Sequence, residues 1–324
     1  MILDECYVLQ NGVKIPKLGL GTWQIPNGKD TYDAVSYALE TGYRHIDTAA
    51  AYGNEESVGK AVRNSGIPRE EIFITTKLPA ECKGYDIAKE CFNKSMETLN
   101  LGYIDLYLIH APWPWDEWGK DCTEGNIASW QAMEEIYEAN EANSIGVSNF
   151  AKQHLEPVLE IAKIVPMVNQ ICFHIGNRQE ETIEFCNKYN MHIMSYSPLA
   201  TGNIVNDKYI EVIARKYGVT IPQVCIRYSL QKGNVVIPKS TKKERIIENS
   251  KVDFELTKEE IQWLIDGYVA GTVPDYQMSA FAMAIYFKGM TTREISDLTM
   301  TMVGTGQKID LSEISGIKVD KHST

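Results

Sequence analysis

The chain has 324 residues, 44% of them hydrophobic and 23% charged, with a formal net charge of −11. That length buries a full core, either as one barrel-sized domain or as a domain of roughly 250 residues with a small appendage. The composition excludes a disordered or collagen-like chain, no run approaches the ~18 apolar residues of a membrane span, and the acidic balance disfavours nucleic acid as the main partner.

The first ten residues, MILDECYVLQ, carry no basic region followed by an apolar stretch, so no secretory signal is expected. The stretch YVLQNGVKIP reads as a short hairpin, with Asn11 and Gly12 suited to a tight turn between half-apolar arms. After it, short apolar runs that read as strands fall at 17–21, 43–47, 72–77, 104–110, 145–148, 168–172, 193–196 and 235–237. Between them lie segments of helical spacing, among them TYDAVSYALETG, IAKECFNKSMETLN, ASWQAMEEIYEAN, QEETIEFCNKYN and DKYIEVIARKYG. Strand then helix, repeated, means parallel strands joined by right-handed crossovers. Eight such units at roughly thirty-residue spacing predict a closed (β/α)8 TIM barrel of the α/β class rather than an open doubly wound sheet. An open sheet for a dinucleotide carries GxGxxG after its first strand; the nearest match, GLGTW at 19–23, has the wrong spacing.

Seven cysteines (Cys6, Cys82, Cys91, Cys122, Cys172, Cys186 and Cys225) are scattered, odd in number and without a CxxC pair. That pattern argues against a disulfide framework or a zinc site and predicts a cytoplasmic setting. The histidines offer no ligand pair on one helix face, so no metal is expected.

Polar residues collect in one kind of place. Asp47, Lys77, His110, Ser148, Asn149, Gln170, Tyr196, Lys239 and Ser240 all fall at or just past the C-terminal end of a predicted strand. In a barrel those ends converge on the face that builds active sites. Each residue alone has a plainer reading: Tyr52 as a packed aromatic, Asp47 as a helix cap, His110 as a satisfied polar group, Gln170 and Asn149 as strand-end hydrogen bonders. Their order at successive strand ends favours the functional one.

Three segments, GYRHIDTAAAYGNE at 42–55, SIGVSNF at 144–150 and IPKSTKKERIIEN at 237–249, resemble the signatures of the aldo-keto reductases, in particular the bacterial diketogluconate-reductase-like members. Ser144 departs from the family pattern, which usually has a charged or amide residue there, without touching the proposed chemistry. Carbonyl reduction by hydride transfer needs an acid for the developing alkoxide and a site that holds a nicotinamide against the carbonyl carbon. Tyr52 is the candidate acid. A free tyrosine has a pKa near ~10, and a neighbouring ammonium from Lys77 is expected to lower it by about two units, roughly 3 kcal/mol of differential interaction. Asp47 is expected to pair with Lys77 and keep it charged, and the resemblance implies that His110 directs the substrate oxygen.

The resemblance also implies a set of cofactor-binding positions: Thr22, Trp23, Ser148, Asn149, Gln170, Tyr196, Ser197, Leu199, Lys239, Ser240, Thr241, Arg245, Glu248 and Asn249. Ser148, Asn149 and Gln170 suit a carboxamide, and Tyr196 offers a flat face to the nicotinamide ring. Lys239, Ser240, Thr241 and Arg245 follow the last strand, where cations and hydroxyls suit the 2′-phosphate of NADPH. NADPH is therefore expected over NADH, with dual use left open. Trp23, Trp113, Trp115 and Trp118 are expected to wall a pocket for a small carbonyl substrate, with surface-loop packing as their other reading. Which aldehyde, ketone or keto-sugar is taken stays open.

The resemblance runs over residues 1–255, taken as the barrel domain. From 256 to 324 the sequence resembles instead the N-terminal helical region of pyrimidine-nucleoside phosphorylases, a small all-helical appendage. Helices are predicted at 258–268, 276–288 and 292–302, and the join near 253–258 reads as a crossover at short shared sequence. Lys321, His322, Ser323 and Thr324 match the start of that family's phosphate loop, KHSTGG, whose glycines do not follow, so phosphorolysis is expected to be absent. Ala280, Phe281, Ala284, Ile285 and Phe287 predict an apolar patch through which an otherwise monomeric barrel self-associates. Two alternatives to an active reductase remain: a barrel that binds cofactor but turns over weakly because of its foreign tail, and a phosphorylase fragment.

Overall fold

The computed structural model describes residues 1–270 as backbone and 1–266 as side chains. The predicted helices at 276–288 and 292–302, the apolar residues Ala280 to Phe287 and the KHST segment lie outside the described residues.

Residues Met1–Ile265 form one compact unit. It opens with the predicted hairpin, β1 (Cys6–Val8) antiparallel to β2 (Lys14–Pro16), whose turn places Gly12 at φ 87°. Only glycine takes that left-handed conformation without a Cβ penalty. The hairpin caps the bottom of the barrel: Gln10 donates to the Val165 carbonyl at 2.9 Å, Asn11 to Asn143 at 2.9 Å, and the Tyr7 ring meets His192 at 4.6 Å.

Strands and helices then alternate in the order β3 (Leu20–Gly21), α1 (Lys29–Thr41), β4 (His45–Asp47), α2 (Glu55–Asn64), β5 (Phe73–Leu78), α3 (Tyr85–Leu99), β6 (Leu106–Ile109), α4 (Thr123–Glu138), β7 (Ile145–Ser148), α5 (Lys152–Ile161), β8 (Val168–Cys172), α6 (Glu180–Lys188), β9 (His192–Tyr196), α7 (Lys208–Tyr217), α8 (Ile221–Gln231), β10 (Val235–Val236) and α9 (Lys243–Asn249). The eight strands β3 to β10 pair in parallel and in sequence. Single bridges from Leu18 to Val236 and from Gly21 to Lys239 join the last strand to the first, with Gly19 N–H bonded to the Val236 carbonyl at 2.9 Å. The result is the expected (β/α)8 barrel.

The last described helix, α10 (Lys258–Ala270), starts at a reciprocal cap: the Thr257 N–H donates to the Glu260 carboxylate at 2.7 Å and the Glu260 N–H to the Thr257 hydroxyl at 3.2 Å. Glu260 is buried and bonded to Lys216 and Tyr217 of α7. Among the described residues no helix is long and apolar enough to cross a membrane, and all seven cysteines are free thiols.

The two-residue period of a strand puts His45 and Asp47 on one face of β4, and Thr75 and Lys77 on one face of β5. Asp47 bonds Gln170 on β8, well round the barrel from β4, so this face lines the interior. His45 sits one layer below Asp47, its Nε2 2.9 Å from the Thr75 hydroxyl. Burial, with the Lys77 charge nearby, pulls its pKa down to about 3.

The unfolded chain protonates this ring near ~6.5 and the folded one does not, so stability is full above that pH. It falls as pH drops below ~6.5, reaching a loss of about 2 kcal/mol at pH 5, where folded His45 is still neutral. The His45 imidazole resonance followed by NMR should stay in its neutral position at pH 5. Titration near the ordinary histidine value would show that water reaches the barrel floor.

Candidate active site

Four side chains meet above that floor. Lys77 on β5 is fully buried, and its ammonium has three donors and no acceptor. All three are used: Asp47 Oδ1 at 2.7 Å, the Thr48 carbonyl at 2.7 Å and Tyr52 Oη at 3.4 Å. Asp47 ends β4, and its second oxygen accepts from Gln170 Nε2 at 2.7 Å. Tyr52 lies in the single turn of 3-10 helix at Ala50–Tyr52 that follows β4, closed by Gly53 at φ 68°. His110, one residue past β6, packs its ring 5.5 Å from that of Tyr52.

The hydrogen-bond directions matter. Because Lys77 can only donate, Tyr52 Oη accepts from it, and the phenol proton has no acceptor among the described residues. Tyr52 is only half-buried, so that proton remains available to another acceptor.

Burial opposes charge throughout the cluster. It pushes Asp47 up and pulls Lys77 down, each opposed by the charge and hydrogen bond of the other. It also pulls His110 well below its ordinary value, with the Lys77 and Lys83 charges adding to the effect. His110 is a neutral imidazole, able to donate from one nitrogen without carrying charge, and its buried Nδ1 has no partner among the described residues.

One expectation is corrected. Lys77 was expected to lower the Tyr52 pKa, yet the phenol is held well above its ordinary value, first by burial and then by the Asp47 carboxylate. The ammonium is already matched by Asp47 at 2.7 Å and lies farther, at 3.4 Å, from Tyr52. Tyr52 therefore stays a phenol.

The predicted cofactor positions fall in two groups. Around β7 to β9 the polar side chains are tied down: Asn149 Nδ2 donates to the His110 carbonyl at 2.9 Å, Ser148 Oγ to the Gln170 carbonyl at 2.9 Å, and Tyr196 Oη to Asn149 Oδ1 at 2.8 Å. Asn149 and Ser197 take left-handed φ values of 64° and 50°. Leu199 is half-buried beyond Ser197, and Thr22 braces β4 through the Asp47 carbonyl at 3.0 Å. Past β10, Ser240 and Asn249 are buried while Lys239, Thr241 and Arg245 are exposed, and Glu248 accepts from the Thr220 hydroxyl at 2.7 Å. Lys239, Lys242 and Arg245 have no ion-pair partner among the described residues; the sequence reading had passed over Lys242.

The tryptophans separate. Trp115 meets the His110 ring edge-on at 5.3 Å, and Trp23 is exposed past β3. Trp113 is instead buried, its ring 4.7 Å from Trp118 and 4.9 Å from His154. Lys83, absent from the sequence reading, donates to the Ala111 carbonyl at 2.6 Å and so braces the loop beside His110. Nothing in its local sequence signals that contact, which joins two loops through space. Among the described residues no cluster of three metal-ligating side chains is present.

The model of the aldo/keto reductase family matches residues 17–266, and that of a glycosyl transferase family helical bundle domain matches 244–306, overlapping the tail resemblance at 256–324. A 9,11-endoperoxide prostaglandin H2 reductase of Trypanosoma cruzi is 45% identical over 262 residues, 80% of this chain and 89% of that protein. The glyoxal reductase of Bacillus subtilis is 43% identical over 260 residues, covering 80% and 91%. Among solved structures, an aldo/keto reductase from Brucella melitensis superposes with a TM-score of 0.76 at 39% identity, covering 81% of this chain and 98% of that one. An aldo-keto reductase from a Medee basin deep-sea metagenome library gives 0.76 at 41% identity, covering 83% and 97%. With eight parallel strands closed into a barrel and a family match over most of its length, the chain belongs to the aldo/keto reductase family of oxidoreductases.

Proposed function

We propose that the chain reduces aldehydes or ketones to alcohols with NADPH, with Tyr52 as the proton donor. The observation that carries this is the hydrogen-bond direction at Tyr52: Lys77 donates to its oxygen, which leaves the phenol proton for another acceptor. When bound, the cofactor supplies hydride to the carbonyl carbon.

The residues past β10 fit such a cofactor. Lys239, Lys242 and Arg245 are three cations without carboxylate partners among the described residues, suited to a 2′-phosphate, with Ser240 and Thr241 beside them. Glu248 and Asn249 would lie toward the adenine. Ser148, Asn149 and Gln170, locked by their mutual bonds, would meet the carboxamide, and Tyr196 would present its ring to the nicotinamide. Thr22, Trp23, Ser197 and Leu199 would complete the walls.

The chain's own chemistry is then proton delivery. His110, neutral and buried beside Tyr52, would donate to the carbonyl oxygen and orient it. As negative charge grows on that oxygen, Tyr52 passes its proton across. The phenolate so formed is stabilised by Lys77, whose charge Asp47 holds in place. A phenol whose pKa is raised is a weaker acid at rest, but an alkoxide is a stronger base than phenolate, so transfer remains downhill. Trp115 and Trp23 would border the substrate, with Trp113 shaping the loop from beneath.

Tyr52→Phe should lower turnover of a nitrobenzaldehyde by about 10²- to 10⁴-fold while leaving NADPH affinity, read by fluorescence titration, intact. Because Tyr52 is held above and His110 below its ordinary value, neither should titrate in the parent's kcat profile between pH ~6 and ~9. A parent that binds NADPH without turnover would favour the weakly active barrel. Arg245→Ala should weaken NADPH by roughly tenfold or more, given ~1.5–3 kcal/mol per hydrogen bond to a charged group, and NADH far less. Equal weakening of both would remove Arg245 from the 2′-phosphate.

A further inference from the structure

Outside the catalytic cluster, two thiols meet. Cys82 lies in the turn after β5 and Cys91 in the second turn of α3, with their Sγ atoms 2.8 Å apart and both residues half-buried. No other cysteine pairs with a sulfur among the described residues. Drawing these two sulfurs to the ~2.05 Å of a disulfide takes less than an ångström of movement.

The neighbours of Cys82 reach the loop that carries His110. Lys83 Nζ donates to the Ala111 carbonyl at 2.6 Å, and Glu81 Oε1 accepts from the Trp115 N–H at 3.5 Å. Trp115 in turn packs its ring against His110. The far side of the turn is fixed, since Gly84 N–H donates to Ser129 Oγ at 2.9 Å, and a Cβ added at Gly125 would fall 2.8 Å from the Lys83 Cβ. A shift at Cys82 therefore has little room to dissipate except through Glu81 and Lys83.

We propose that Cys82 and Cys91 form a dithiol oxidation site, and that closing it to a disulfide resets the Glu81 and Lys83 braces on the loop from His110 to Trp115. With a peroxide as oxidant, one thiolate attacks a peroxide oxygen, the O–O bond breaks, and a sulfenic acid and one water result. The second sulfur attacks the sulfenic sulfur, the S–S bond forms, the S–O bond breaks and a second water leaves. Two thiols are oxidised and one peroxide is reduced to two waters. A small dithiol reverses the change by exchange. Burial and the adjacent sulfur push the Cys82 thiol up to about 12, which opposes thiolate formation at that sulfur. In a reducing cytoplasm such a pair stays open until oxidant accumulates.

The location of the site is independent of the proposed reductase activity; its coupling to the loop rests on that reading. The full chain is reduced, treated with hydrogen peroxide, blocked at free thiols and digested with trypsin, which cuts after Lys77, Lys83, Lys89 and Lys94. The expected product is LPAECK joined to ECFNK, lost again on treatment with dithiothreitol. Oxidation should change NADPH-linked turnover of a nitrobenzaldehyde by about threefold or more, a shift of roughly 0.7 kcal/mol in the barrier, and dithiothreitol should restore it. Cys91→Ser should keep the reduced chain's kinetics and show neither the link nor the change. Absence of the link, or a link from either cysteine to Cys122, overturns the site. A link with unchanged turnover, in a chain active when reduced, overturns the coupling. A reduced chain without turnover counts against the proposed activity instead, and the peptide link still decides the site.

Discussion

The buried ammonium of Lys77 is the constraint on which this site depends. An amine with no exposed surface is tolerated in a barrel core only if each N–H finds an acceptor and the charge finds a partner. Asp47 supplies the charge, the Thr48 carbonyl the second acceptor and Tyr52 the third. Those demands fix the end of β4, the turn that follows it and, through Gln170 on β8, a point well round the barrel. Breaking one half of such a pair typically costs about 3–5 kcal/mol, because the charge left behind stays buried. The cluster that would stabilise a developing phenolate is thus also a cross-brace of the barrel.

Burial acts in opposite senses on the two aromatic acid-base groups. A phenol is neutral when protonated, so a dry environment holds its proton; an imidazole is neutral when deprotonated, so the same environment releases one. Tyr52 and His110, 5.5 Å apart between ring centres, are both kept uncharged. In the proposed reduction, two neutral hydrogen-bond donors would then face the carbonyl. The role expected of Lys77, to sharpen Tyr52 in the resting state, would pass in that reduction to the moment when charge appears on the phenolate.

The strand ends were legible in the sequence because apolar runs end abruptly at Asp47, His110, Ser148 and Tyr196, and the barrel collects such ends on one face. What could not be read were the meetings between strands distant in sequence. Gln170 looks like a free amide at the end of a strand, but its nitrogen is bound to Asp47, 123 positions away. Trp113 and Trp115 are two residues apart and indistinguishable by composition; the loop turns one into the core beside His154 and the other onto His110. Lys83 and Cys82 carried no signal at all, since their partners Ala111 and Cys91 are chosen by how two loops and a helix pack.

The two family models overlap at residues 244–266, and the described residues suggest why one stretch satisfies both. A helix that starts at Thr257 needs only a local device, the Thr257–Glu260 cap, and this costs no particular tertiary partner. The barrel adds a demand of its own at the same glutamate, which is buried against Lys216 and Tyr217 of α7. One residue thereby serves as helix start and as barrel anchor. Among the described residues, the hydrogen bonds that position Asp47, Lys77, Tyr52 and His110 come from residues before that helix. Within the described unit, the geometry of these four side chains is therefore set by the barrel strands and their loops.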